Sequence, residues 1–333
     1  MCHQLQLSES GLSLPQQVRE AAAFVAGQAA FVRIREDRIE SYTADLLARY
    51  PVIERLDSQS HFLSQASPGA TAAFVLALDS INFGSGWFGV AKEAGVTLEY
   101  SHVANSLKKA FSGSRMNAPL KWMAATAEDC HEIFGVLRGK RRELDALMGL
   151  FADHLGVTGQ MIFEQYDGEV LGLLEDAGGC ASHLAEIAGS WPSFHDVAVY
   201  KGADVQLYKR AQILSADMYL AFEGQAPANF ADMDELTSFA DNMVPHVLRC
   251  GGILEYAPAL AEKIDRGIML DSGSEEEIEV RAAGIHAVEL MKLAARRQDR
   301  QVTSANIDHI LWNRGYEPEI YARPSHKTMT VWY

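Results

Sequence analysis

Apolar residues recur at every third or fourth position over long stretches of this chain, the spacing that lines up one side of an α-helix. Ile39, Tyr42, Leu46, Leu47 and Tyr50 keep it, as do Leu144, Leu147, Met148, Phe151 and Leu155. Ser67-Pro68 reads as a cap followed by proline in the first turn, and predicts an apolar helix to about Ser80. Ser274 with Glu277 has the form of a capping box ahead of Ile278, Ala282, Ile285 and Val288. Thr303 or Ser304 caps a last helix that stops at Gly315. Alternation suited to a half-buried strand is scarce; residues 204–207 and 329–333 are the best candidates, and both are short. No internal repeat, low-complexity tract or long linker interrupts the pattern. The expectation is a mainly α protein, a single helical domain over 1–333 with at most short strands.

Bulk properties narrow the function. The 333 residues suffice for a substantial core, and 48% apolar content is ordinary for a globular protein. The formal charge of −15 argues against a protein that tracks along a phosphate backbone, while leaving room for a small phosphorylated ligand in a locally basic pocket. Cys2, Cys130, Cys180 and Cys250 have spacings that fit neither a zinc site nor a disulfide framework, which points to a reducing, cytoplasmic setting. The N-terminal stretch lacks the basic-then-apolar form of a leader, and the longest apolar run, 72–78, is too short to span a bilayer. No phosphate-loop, Rossmann, zinc-protease or nucleophile-elbow motif is present, and the eleven histidines lack metal-ligand spacing, so no metal and no cofactor are expected.

The remaining chemical candidates are polar residues set among apolar ones. Asp241, in FADNMVPHVLR, precedes Pro245 by four residues and is either a helix cap or a reactive carboxylate. Lys209 and Arg210 lead an otherwise apolar helix; they form either a phosphate pocket at a helix N-terminus or ordinary surface ion pairs. Asp308 and Trp312 share a helix face, where a carboxylate can accept base N–H protons while an indole stacks, or where Asp308 is simply solvated. The glycine-aromatic stretch 78–89 reads as a tight loop lining a cavity or as an ordinary helix end. His61 is either structural or ligand-facing, and Arg281, mid-helix among acids, reads as an ion-pair partner.

Together DSINFGSGWF (79–88), WPSFHDVAVYKG (191–202), YKRAQIL (208–214), FADNMVPHVL (239–248), EIEVRAAGIHAVELM (277–291) and IDHILWNRG (307–315) resemble the queuosine salvage family of queuosine 5′-phosphate N-glycosylase/hydrolases, in order and spacing, from 61 to 333. The resemblance implies an all-helical fold similar to helix-hairpin-helix DNA glycosylases, although the run after Asp241 is two residues longer here. It also implies hydrolysis of the N-glycosidic bond of queuosine 5′-monophosphate. By position, Asp241 matches the catalytic aspartate, Phe239 a residue that packs on the base, Asp308 a base-binding carboxylate and His61 a ligand-contacting histidine. Where the family has an aromatic residue and a second aspartate, this chain has His309 and Asn313; Asn313 can accept a hydrogen bond but brings no charge.

On this reading the substrate-binding set is His61, Phe239, Asp308, His309, Trp312, Asn313, Lys209 and Arg210. The partner is a small nucleotide, with no stable nucleic-acid partner, no membrane and a monomeric state. A base-flipping nucleic-acid glycosylase is the main alternative, and it would need a basic face. A non-catalytic binder of a deazaguanine nucleoside is the other.

Overall fold

The computed structural model describes residues 11–333, so Cys2 and the stretch read for a leader lie outside the described residues. The regular structure among them is sixteen α-helices and four strands of three or four residues, in keeping with the mainly α pattern. First come α1 (Leu14–Gln28), β1 (Val32–Ile34) and α2 (Glu36–Arg49). A helical run follows: α3 (Pro68–Ser80), α4 (Phe88–Glu93), α5 (Tyr100–Ser112), α6 (Pro119–Met123), α7 (Ala127–Phe134), α8 (Arg142–Tyr166), α9 (Val170–Asp176) and α10 (Ala181–Gly189). The rest is β2 (Val197–Tyr200), β3 (Ala203–Gln206), α11 (Lys209–Ala221), α12 (Met243–Cys250), β4 (Leu254–Tyr256), α13 (Pro258–Asp265), α14 (Glu275–Arg297), α15 (Ser304–Arg314) and α16 (Pro318–Tyr321). The chain divides into two compact units, one of Glu54–His195 and Ile213–Ala231, the other of 11–53, Asp196–Gln212 and Asp232–Tyr333.

The first unit is organised by α8, whose Leu144, Leu147, Met148, Phe151 and Leu155 are all buried, as their spacing requires. It packs on α3, α4, α6, α7 and α9. In α3 the Ser67 hydroxyl accepts from the Ala70 N–H at 3.3 Å and Pro68 takes the first position. Every residue from Thr71 to Ser80 is buried, so α3 is a core helix without a polar face. No single described helix is long and apolar enough to cross a membrane. Gly84 has φ 107°, a left-handed conformation that strains other residues, and a β-carbon there would lie 3.2 Å from Leu147 Cδ1. Cys130 and Cys250 are free.

The second unit is built on α14, which packs against α1, α2, α12, α15 and β1. Val280, Ala283, Ala287, Val288 and Met291 of α14 share one core with Val244, Val247 and Leu248 of α12, Ile307, Ile310 and Leu311 of α15, and Ile39 and Leu46 of α2. The Ser274 hydroxyl caps α14 by accepting from the Glu277 N–H at 3.3 Å. Glu277 does not return the bond to Ser274; it accepts from the Gly273 N–H at 3.1 Å, so the box is one-sided. Thr303, not Ser304, caps α15, in a reciprocal box with Asn306, while the Ser304 hydroxyl donates to Glu289 at 2.6 Å. The short α16 follows α15, which is therefore not the last helix. The strand expected at 204–207 is β3, paired antiparallel with β2. Residues 329–333 form no strand, and β1–β4 is a three-residue antiparallel pair too short to leave an alternating pattern.

Two glycines let neighbouring helices close on α12. A β-carbon at Gly284 of α14 would lie 2.9 Å from Pro245 Cγ, and one at Gly315 would meet the Met243 side chain. Alanine normally stabilises a helix interior over glycine by up to about 1 kcal/mol. At Gly284 the overlap with Pro245 opposes that gain, since overpacking costs about 1–3 kcal/mol. Gly284→Ala is therefore expected to lower the thermal midpoint, whereas Gly149→Ala in α8, with open space around it, is expected to hold or raise it. Calorimetry of both variants checks the pair.

Candidate active site

Asp241 lies at the end of the long segment 222–242 between α11 and α12, and only 6% of it is exposed. α12 begins at Met243, two residues before Pro245, so the proline occupies the first turn, where its missing N–H costs no helical hydrogen bond. One Asp241 carboxylate oxygen accepts from the Val244 N–H at 2.9 Å, and the Met243 N–H also supports the charge. The backbone folds tightly here, with the Asp241 N–H donating to the Phe239 carbonyl at 2.6 Å. Asp241 thus closes the N-terminus of α12, and the two sequence readings describe one residue: capping and reactivity are compatible.

Asp308, on α15, is 3% exposed. Its Oδ2 accepts from the Ser238 hydroxyl at 2.6 Å and from the Phe239 N–H at 2.8 Å. The two carboxylates therefore bracket one stretch of backbone, 238–241. Burial pushes the Asp241 carboxyl up, against the pull of Lys209, of the Val244 and Met243 N–H groups, and of Arg281. Burial, and then the Asp241 charge, push Asp308 up to about 7; His309, Ser238 and Phe239 N–H oppose this. Two carboxylates so placed resist ionising together. Asp241 has the cations Lys209 and Arg281 within its field as well as a helix end, so near neutral pH the pair's proton belongs on Asp308. Because Oδ2 already takes two donors, that proton belongs on Oδ1.

Arg281 is the residue whose wider role the sequence left unread. It does form an ion pair with an acidic neighbour, Glu277 one turn earlier, and a closer one with a partner 85 residues earlier. Its Nη1 and Nη2 donate to the two Asp196 oxygens at 3.2 and 2.6 Å, and its Nε donates to the Ala240 carbonyl at 2.9 Å. Glu277 lies 3.5 Å from the same guanidinium, which stacks over the Tyr333 ring at 4.7 Å. Burial works against the Arg281 charge, and Asp196 and Glu277 outweigh it, leaving the guanidinium more firmly protonated than usual. Buried Gln212 fixes the approach to the site, accepting from the Thr237 N–H at 2.9 Å and donating to the Thr237 hydroxyl at 2.9 Å.

The other sequence candidates fall at varied places. Phe239 is buried with its ring 5.6 Å from that of half-buried His309, so the two meet edge to face beside Asp308. Trp312 is half-buried and packs on Tyr316, with ring centroids 4.9 Å apart. Asn313 is exposed, and its amide donates to the His309 carbonyl at 2.7 Å. Lys209 and Arg210 open α11, as expected, but both are buried, at 5% and 1% exposure. Lys209 acts on the Asp241 charge, and its N–H donates to Asp196 at 3.3 Å. His61 belongs to the first unit and is also buried; its Nδ1 lies 2.7 Å from the Asp57 carbonyl and its Nε2 2.9 Å from the Tyr100 hydroxyl. A carbonyl only accepts, so Nδ1 carries the proton and Nε2 accepts from Tyr100.

Two stability measurements follow. A folded state that holds a proton on Asp308 up to about pH 7 binds more protons than the unfolded chain from the ordinary aspartate range, near ~4, upward. This contribution to stability therefore falls as pH rises across that window, by on the order of a few kcal/mol. Asp308→Asn should flatten the fall, so that urea midpoints at pH 5 and pH 8 lie closer together than in the unsubstituted protein. Asp196→Ala removes the nearer of the two buried carboxylates beside Arg281 and should cost about 3 kcal/mol in the same assay.

Comparison with known proteins adds a second line of evidence. The family model described as "Queuosine salvage protein" matches residues 61–333. A protein of Sphaerobacter thermophilus named queuosine 5′-phosphate N-glycosylase/hydrolase is 33% identical over 313 residues, 93% of this chain and 95% of its own. Proteins of the same name from Dictyostelium discoideum and Mus musculus are 29% and 26% identical, covering 95% and 96% of this chain and 98% and 99% of theirs. The segments that carry this likeness include those that build the buried carboxylate pair and its arginine, and the chain belongs to the queuosine salvage protein family.

Proposed function

We propose that this protein hydrolyses the N-glycosidic bond of queuosine 5′-monophosphate, releasing queuine and ribose 5-phosphate. The observation that carries the reading is the pair of buried carboxylates on one stretch of backbone, one supported as an anion and the other as an acid. The names of the relatives support the substrate. The family match draws on segments of both compact units, which supports treating 1–333 as one functional domain. The charge of −15 supports a small nucleotide, rather than a nucleic acid, as the partner. On the same reading the protein is a monomer acting in the cytoplasm.

The bond from sugar C1′ to the base nitrogen breaks with positive charge developing on the sugar, as in glycoside hydrolysis. An ionised Asp241 beside C1′ stabilises that charge, and the buried setting strengthens its field. Water supplies a hydroxyl group to C1′ and a proton to the departing base. Asp308, with Phe239 and His309 alongside, receives the base and offers hydrogen bonds to its edge. The two cations that open α11, Lys209 and Arg210, are assigned to the 5′-phosphate side of the substrate. Phosphate binding remote from the broken bond then helps to hold C1′ in place.

Asp241→Asn tests the role directly. Asn can still accept from the Val244 N–H, and burial already works against a charge at this position, so the variant should fold and melt normally. Incubated with queuosine 5′-monophosphate and followed by mass spectrometry, the unsubstituted protein should release free queuine and the variant none. Queuine release by the variant at the unsubstituted rate would remove Asp241 from the reaction.

A further inference from the structure

We propose that Arg281 is a positioning residue for Asp241, acting with Asp196 as a single buried unit that sets both the direction and the charge of that carboxylate. In its catalytic consequences this rests on the function proposed above.

The geometry carries the inference. All three guanidinium nitrogens of Arg281 are engaged, one on the carbonyl of Ala240, the residue immediately before Asp241, and two on Asp196. Asp196 in turn accepts from the Lys209 N–H, and its own carbonyl accepts from the Leu207 and Tyr208 N–H groups at 3.1 Å each. One guanidinium therefore ties together the backbone that aims Asp241 and the first turn of the helix that presents Lys209. The segment 238–241 is gripped from three directions: Asp308 takes the Ser238 hydroxyl and the Phe239 N–H, Arg281 takes the Ala240 carbonyl, and α12 takes the Asp241 carboxylate. Rotating the 240–241 peptide to swing Asp241 away would remove the Nε hydrogen bond of an arginine that is 1% exposed, where losing a partner carries the full desolvation cost of the group.

Charge adds a second effect. The groups that set the Asp241 charge are Lys209 on α11, Arg281 on α14, Asp308 on α15 and the N–H groups of Met243 and Val244 on α12; His309 acts through Asp308, and Glu277 and Asp196 act through Arg281. Arg281 and Lys209 are the cations in this set. Only a planar fork with an inner Nε–H can hold Ala240 and both Asp196 oxygens at once; a lysine restores the charge without the fork.

The test separates those two effects. Arg281→Gln is expected to raise the acidic limb of the kcat/KM profile for queuosine 5′-monophosphate and to lower kcat by tenfold or more per folded molecule, with KM changed much less. Arg281→Lys should return the acidic limb toward its original position and leave kcat low. A residue that merely holds the fold would change the folded fraction, measured by urea titration, without moving the limb. In parallel, the Asp241 carboxyl is titrated by NMR in protein labelled with carbon-13 aspartate, a readout that needs no substrate. Its midpoint should be higher in Arg281→Gln than in the unsubstituted protein and nearer the original in Arg281→Lys. An unmoved Asp241 midpoint, together with kcat within about twofold of the original in both variants, would overturn the proposal. If the unsubstituted protein released no queuine while the Asp241 midpoint still moved, the glycosidase reading would fall and the role of Arg281 toward Asp241 would stand.

Discussion

An arginine with 1% of its surface exposed, gripping a carboxylate that is itself buried, is an expensive arrangement in any protein. Burying any of these charges alone would be prohibitive, so Arg281 is held in the interior by two buried carboxylates, Asp196 in direct contact and Glu277 at 3.5 Å. From that pairing the architecture of the second unit can be followed outward. α14 carries the arginine through the centre of the core, β2 begins immediately after the aspartate, and the turn into α11 hangs on the same aspartate by three N–H groups. The Nε–H of the guanidinium goes to the Ala240 carbonyl, one residue from the proposed reactive carboxylate. Fold and chemistry share a single buried contact.

The carboxylate pair is the opposite kind of interaction. Asp241 and Asp308 repel each other and both suffer from burial, and among the described residues their hydrogen-bond donors are a hydroxyl and backbone N–H groups. The site resolves this by unequal support. Asp241 has a helix end and the field of two cations; Asp308 has a hydroxyl, one backbone N–H and a histidine nearby. Unequal support of two like groups is the general way in which one site holds an acid and a base at one pH.

Much of this was legible in the residues. Periodic apolar spacing marks α2, α8 and α14, and Ser67-Pro68 and Thr303 mark helix starts, because caps and spacing are local properties. Asp241 and Asp308 stand out for the same reason, as charges among residues that seek burial. The start of α12 at Met243 is not marked by Pro245, since any position in the first turn tolerates a missing N–H. Ser238 gave no signal beyond a hydroxyl next to Phe239. The kind of partner Arg281 takes could be read, but not its identity, since nothing local links residue 281 to residue 196. Asn313, singled out by its departure from the family pattern, lies on the exposed side of α15, where its amide closes a local bond to its own helix.

Gly284 and Gly315 show how the site avoids a cost usually met during reaction. Each removes the one carbon that would hold a neighbouring helix away from α12, so the helix whose amides face Asp241 is wedged between its neighbours. Dipoles wedged in this way are already oriented before any charge develops on a substrate. In water the same stabilisation would require solvent molecules to turn as the bond breaks, and that turning is a large part of the uncatalysed barrier. Two absent methyl groups thereby let the amides that face Asp241 be fixed by packing rather than by solvent.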